Sequence, residues 1–242
     1  MKKHLLILLF SAAMVLTSCT KKNEDRTLIL PENKVWAHRV NTIEEIQAKE
    51  NSFEGMELDL FYSTYQNKLF VCHYDEDTIK NITLEKWLAA FKTPEKHCFW
   101  LDIKGLTLEN CDTIVYNVKN NLKQYNLENK SFIENSSHKV LTRVKELGMH
   151  TSLWVENFLW SDIDTASWVN KVRQGCDICS PDALSCEWHM FGALTTFFPE
   201  KNIFLWHTPA DETPENIEIT REMCRNKSVK IVLVDYDEPV DY

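Results

Sequence analysis

Glu57 and Asp59 stand two residues apart in the stretch FEGMELDLFYS (53–63). Successive side chains of a β-strand alternate faces, so these two carboxylates share one face while Met56, Leu58 and Leu60 take the other. Two like charges that close repel, and if their face lines a cavity something positive has to sit with them. The same spacing recurs in FWLDIK, which ends with Asp102 and Lys104. His38-Arg39 follow VWA, and His73 ends LFVCH after the turn-like STYQNK, so that stretch is expected to fold back beside the Glu57 strand and return a second imidazole to it.

Positioning such groups together requires a scaffold, and the chain alternates short apolar runs with helical stretches. Eight runs read as strands: VWAH (35–38), MELDLFY (56–62), FWLDIK (99–104), SFIEN (131–135), TSLWVE (151–156), CDICS (176–180), IFLWH (203–207) and KIVLVDY (230–236). Helical periodicity lies between most of them, in TIEEIQAKE, TLEKWLAAFK, ENCDTIVYNVKNNLKQY, HKVLTRVKELG, TASWVNKVRQ and PENIEITREMCRN. The apolar spacer after CDICS, with Trp188, Met190, Phe191 and Phe197, reads as a further helix. Repeated strand and helix without a Pro/Gly-rich linker predicts a single (β/α)8 TIM barrel, with an open doubly wound sheet as its rival. Barrel chemistry collects at strand C-terminal ends. Those ends carry His38-Arg39, Glu57 and Asp59, Asp102 and Lys104, Glu134-Asn135, Glu156-Asn157, His207 and Asp235.

The 242 residues are 44% hydrophobic and carry a formal net charge of -9, enough for one sizeable core and the wrong sign for a nucleic-acid binder. Lys2, Lys3 and His4 precede the apolar run LLILLFSAAMVL, the layout of an export signal. It ends in Leu16-Thr17-Ser18-Cys19, which resembles a bacterial lipobox. The expected organisation is a lipoprotein signal over 1–19, a polar tether over 20–33 and the barrel over 34–242. A chain so anchored would be exported and held to a membrane through lipid on Cys19. Of the remaining seven cysteines, Cys176, Cys179 and Cys186 suggest a zinc knuckle but lack a fourth ligand at the usual spacing; buried thiols or a disulfide are expected.

The order His38-Arg39, Glu57-Leu58-Asp59, His73, Asp102-Ile103-Lys104 resembles the glycerophosphodiester phosphodiesterase family and its superfamily of phospholipase-C-like barrels, and IFLWHTP resembles the family's late Trp-containing strand. The resemblance implies a metal-dependent phosphodiesterase, working as a monomer on a small or lipid-derived phosphodiester such as a glycerophosphodiester or lysophospholipid. Glu57, Asp59 and Asp102 would hold a divalent cation, His38 and His73 would act as general acid and base, Arg39, Lys104 and Asn41 would bind phosphate, and Trp206 would line the substrate pocket. Hard carboxylate oxygens suit Mg²⁺ or Ca²⁺. The chain departs from the family at Val40-Asn41-Thr42, which stands in place of the glycine and Pro-Glu-Asn-Thr motif, at Tyr74 after His73, and at Asp102, where glutamate is usual. An aspartate there and a short insertion are closer to the sphingomyelinase D-like branch. Two other functions stand beside this one: a barrel that has lost turnover and binds a ligand, and a glycoside hydrolase using Glu134 and Glu156.

Overall fold

The computed structural model describes residues 27–73, 82–209 and 211–242. Within them one sheet contains β1 (Val35–Ala37), β2 (Gly55–Ser63), β3 (Lys68–Val71), β4 (Cys98–Lys104), β5 (Ser131–Asn135), β6 (His150–Trp154), β7 (Ala183–Glu187), β8 (Ile203–Trp206) and β9 (Val229–Val234). The order is β1-β9-β8-β7-β6-β5-β4-β2-β3, and a parallel pairing of Ala37 with Met56 joins β1 to β2 and closes the ring. Eight strands run parallel, and β3 hangs on β2 as an antiparallel hairpin. The α-helices among the described residues are α1 (Ile43–Lys49), α2 (Leu84–Ala89), α3 (Cys111–Lys123), α4 (His138–Glu146), α5 (Thr165–Cys179), α6 (Phe191–Phe197) and α7 (Pro214–Arg225). This is the (β/α)8 barrel that the alternation predicts.

Strand alternation divides the apolar residues into two cores. Leu58, Leu60, Leu101, Ile103, Leu184 and Leu205 face outward and pack with the helices. Trp36, Cys98, Trp100, Phe132, Phe204 and Leu233 fill the barrel, with the Phe132 and Phe204 rings 4.8 Å apart. Gly55 is required by this packing: a Cβ there would lie 2.0 Å from the Trp36 ring. Leu28 and Leu30 pack against the interior cluster, and the Ile29 amide donates to the Asn129 carbonyl at 2.8 Å. Residues 28–30, read from the sequence as part of a tether, therefore belong to the barrel; residues 1–26, with Cys19, lie outside the described residues.

One strand assignment is corrected. CDICS is not a strand but the last turn of α5, whose buried residues Trp168, Val169, Val172, Cys176 and Cys179 recur at helical spacing. Ser180, at φ 43°, ends the helix in the left-handed region. The sixth parallel strand is ALSCE, in which Ala183 faces the barrel while Leu184 and Cys186 face the helices. The seven cysteines after Cys19 are buried thiols, which removes the disulfide and zinc-knuckle readings.

Candidate functional site

The floor of the site is built by β2 and β4. Their parallel register sets Glu57 beside Trp100 and Asp59 beside Asp102, so the three acids meet across two neighbouring strands. One oxygen of each of Glu57, Asp59 and Asp102 lies within 4.8 Å of the others. Lys104, two residues beyond Asp102 on the same face, reaches back between them: its ammonium is 2.7 Å from Asp59 Oδ1 and 2.5 Å from Asp102 Oδ2. Burial works to lower the Lys104 ammonium, but the two aspartates outweigh it and hold it above its ordinary value. Among the described residues Glu57 has no ammonium so close. It accepts the Arg39 amide at 2.7 Å, yet burial, then Asp59, then Asp102 push its carboxyl well above the usual range. This surplus of buried negative charge, offered by hard oxygen donors, fits a divalent cation.

The walls bring both histidines to that floor. His38 follows β1, and its Nδ1 lies 2.8 Å from Asp235 Oδ1 just past the end of β9. Burial works to raise Asp235, but the imidazole outweighs it and keeps the carboxyl below its ordinary value. An ionised carboxylate can only accept, so Nδ1 carries the proton and Nε2 is left to face Glu57, at 3.9 Å. Arg39, at φ 49°, turns the chain sharply enough to aim its amide at Glu57 while its guanidinium stays exposed. The β2–β3 hairpin returns the chain as expected: the Cys72 amide donates to the Asp59 carbonyl at 3.0 Å. That sets His73 Nε2 4.0 Å from Asp59 Oδ1 and 3.4 Å from the Arg39 guanidinium.

Asn41 takes a different place from the one its position suggests. Its amide donates to Asp59 Oδ2 at 2.7 Å and its carbonyl accepts the Asp59 N–H at 2.9 Å, and it is not among the residues that line the cleft. It positions a carboxylate instead. The capping box of Thr42 and Glu45 at the start of α1 holds the turn that presents it.

Above the floor lies a cleft of about 400 Å³ lined by His38, Arg39, Glu57, Asp102, Lys104 and Trp206, as the motifs imply, and also by Trp100, Glu134 and Trp154. Trp100 and Trp206 meet edge to face with centroids 6.3 Å apart, forming an apolar wall. Glu134 is the group whose weight the sequence conceals: burial first, then Asp102, lifts its carboxyl to about 8, and its Oε1 has no hydrogen-bond partner among the described residues. Two other strand-end groups leave the cleft. Glu156 turns outward to pair with Lys171 at 2.9 Å, so it cannot face Glu134 across a sugar, and the two-carboxylate glycosidase reading loses its second acid. His207 is 1% exposed, hydrogen bonded to Thr220 Oγ1 at 2.9 Å, and held down to about 4 by burial and by His189.

No protein-family model matches the sequence, and no curated protein matches it. Solved structures do match the fold. A glycerophosphodiester phosphodiesterase from Parabacteroides distasonis shares 15% identity with a TM-score of 0.61 over 86% of this chain and 94% of its own. An Oleispira antarctica phosphodiesterase, solved with the product sn-glycerol-3-phosphate, shares 12% identity with a TM-score of 0.61 over 86% and 94%. A glycerophosphodiester phosphodiesterase from Agrobacterium tumefaciens shares 11% identity with a TM-score of 0.54 over 86% and 97%. The resemblance carried by the four motifs is thus matched by the shape of the whole barrel, and the chain has the fold of the solved glycerophosphodiester phosphodiesterases.

Proposed function

We propose that this chain is a phosphoric diester hydrolase acting on a glycerophosphodiester or lysophospholipid-type substrate. The observation that carries the reading is the convergence of two histidines and Lys104 on a three-carboxylate floor, an assembly that ligand binding alone does not require. Arg39 and Lys104 bind the non-bridging phosphate oxygens, and Trp100 and Trp206 hold the adjoining part of the substrate. One histidine takes the proton from the attacking hydroxyl, of water or of the substrate itself, while the other gives a proton to the departing alkoxide. For His38 the working atom is Nε2, because Asp235 occupies Nδ1. Glu57, Asp59 and Asp102 hold the divalent cation, Mg²⁺ or Ca²⁺, which when bound supplies charge neutralisation for the phosphoryl oxygens.

The Cys19→Ser chain, assayed with glycerophosphocholine and bis-p-nitrophenyl phosphate, tests this reading. Turnover that needs Mg²⁺ or Ca²⁺, and that falls roughly two to four orders of magnitude in His38→Ala and His73→Ala, supports it. Wild-type turnover in both variants, or none with any diester, refutes it and leaves a ligand-binding barrel. The lipobox motif supports export and attachment of the native protein to a bacterial membrane through Cys19. Fractionation of the native chain against Cys19→Ser checks the anchor, and a variant still in membranes after a salt wash removes it.

A further inference from the structure

The half of the cleft away from the histidines carries a second set of groups. Trp100, Glu134, Trp154 and Trp206 line it, from β4, β5, β6 and β8 in turn. Phe132 and Phe204 fill the barrel below, so Glu134 and Trp206, two residues further along the same strand faces, stand one layer higher at the mouth. Glu134 is in register with Asp102, and Trp100 with Glu57, which sets this half directly against the carboxylate floor. Trp100 is 1% exposed and serves as backing. Glu134 and Trp206 are partly exposed and Trp154 is 39% exposed, so these three keep surface free for a ligand.

These groups make two demands on an occupant. The Glu134 carboxyl has an oxygen without a hydrogen-bond partner among the described residues, and Lys104, which draws it toward ionisation, is committed to Asp59 and Asp102. A carboxylate so placed calls for a positive partner. The indoles call for a group that can lie on their faces. An alkyl chain would meet the rings and leave the carboxyl unanswered, whereas a hydroxyl would meet the carboxyl and little of the rings. An alkylated ammonium meets both: its methyl groups pack on the rings, and its charge is drawn to their electron-rich faces and to the carboxylate. A cation beside Glu134 also favours the ionised form, so ligand and carboxylate reinforce each other.

We infer that Glu134, Trp154 and Trp206, backed by Trp100, form a subsite for a substituted ammonium group on the alcohol of the substrate, next to the place of the phosphate. The preferred diester is then zwitterionic, an ester of a quaternary-ammonium alcohol such as choline, and not one whose alcohol is neutral or anionic. Its phosphate charge falls to Arg39 and its ammonium to Glu134, at opposite sides of one cleft. This rests on the phosphodiesterase reading of the cleft, which the test keeps separate.

Glycerophosphocholine is compared with its uncharged carbon isostere, in which a tert-butyl group replaces the trimethylammonium and the shape is kept. Binding in Mg²⁺ and in Ca²⁺ is measured calorimetrically on the full-length Cys19→Ser chain carrying His73→Ala, and glycerophosphate release from both diesters is followed on the Cys19→Ser chain. The choline diester is expected to bind about tenfold more tightly than the isostere, the strength of a partly desolvated cation–π site. Glu134→Gln and Trp154→Leu should each lower that ratio about threefold or more. Trp154 is at the surface, so its replacement carries the test if Glu134→Gln does not fold, and thermal melting checks both. Equal constants for the two ligands, tighter binding of the isostere, no measurable binding of either, or a ratio that neither substitution lowers overturns the proposal. A choline preference in binding without glycerophosphate release from either diester supports the subsite and sinks the hydrolase reading; release from both, with no preference in binding or in rate, does the reverse.

Discussion

Neutralising Glu57 should make the metal-free protein more stable. Of the three floor acids, Asp59 is met by Lys104 at 2.7 Å and by Asn41 at 2.7 Å, and Asp102 by Lys104 at 2.5 Å, whereas Glu57 accepts the Arg39 amide at 2.7 Å and has His38 Nε2 no nearer than 3.9 Å. Its carboxyl sits well above its ordinary 4.5. A raised carboxyl binds its proton more tightly folded than unfolded, so it weakens the fold increasingly as pH climbs above 4.5. Taking up a proton caps the penalty. At pH 7 that limit is the cost of protonating a carboxyl whose free value is 4.5, about 3 kcal/mol. Glu57→Gln keeps an acceptor for the Arg39 amide and offers donors to the two aspartates. In chelator at pH 7 it should raise the midpoint by up to roughly 6–12 °C, at about 2–4 °C per kcal/mol for a chain of this size, and the gain should vanish near pH 4.5.

Cation binding should invert the order. At a hundredfold excess over its dissociation constant, Mg²⁺ or Ca²⁺ stabilises the wild type by about 2.7 kcal/mol, while Glu57→Gln, one ligand short, responds less. Differential scanning fluorimetry with and without chelator, from pH 4.5 to 7.5, measures both arms. A Glu57→Gln variant that is less stable than wild type in chelator, and equally stabilised by the cation, refutes the reasoning.

Asp235→Asn should lower kcat on a nitrophenyl phosphodiester about tenfold with little change in KM, since it weakens one charge-assisted hydrogen bond, about 1.5–3 kcal/mol, to a neutral one; turnover equal to wild type would remove Asp235 as the positioning partner of His38. His207, buried and held at about 4 against an ordinary 6.5, binds its proton less tightly folded than unfolded, so stability should fall as pH drops from 6.5 toward 4, by about 3 kcal/mol at most. Denaturant unfolding at pH 7, 5.5 and 4 measures this loss, and His207→Asn should show less of it; identical pH dependence in the two proteins contradicts the account.

What the sequence made legible was local. Glu57 with Asp59, and Asp102 with Lys104, share faces because strand alternation is fixed by backbone geometry, and the return of His73 follows from a polar turn between two apolar runs. Asp235 was visible as a strand-end acid, but its partnership with His38, 197 residues away, exists only because β1 lies against β9, a product of barrel closure. Glu134 could not be weighed for the same reason: its environment is set by strands contributed from elsewhere in the chain. CDICS misled because a five-residue window fits a period of two as well as the end of a longer helix, and only the spacing back to Trp168 separates them. Asn41 stands beside the His38-Arg39 motif in sequence, but its hold on both the N–H and the carboxylate of Asp59, 18 residues away, is a fact of three-dimensional reach.

Formal charge at the site argues for a diester over a monoester. Three carboxylates against the Lys104 ammonium leave two negative charges, which one divalent cation balances. A phosphodiester brings one further negative charge, and the exposed Arg39 guanidinium, 3.9 Å from Asp59 Oδ2, is there to meet it. A phosphomonoester near neutral pH brings close to two, and the second has no counterpart on this floor among the described residues. Like charge left uncompensated in a partly buried site is costly. The chain should therefore hydrolyse bis-p-nitrophenyl phosphate at least tenfold more efficiently, in kcat/KM, than p-nitrophenyl phosphate, a ratio corresponding to about 1.4 kcal/mol. Replacing Arg39 with Gln should raise KM for the diester more than it lowers kcat, because the guanidinium meets charge already present in the ground state. Equal efficiency on the two esters would show that the charge tally does not govern selection, and would return the choice of substrate to the shape of the cleft.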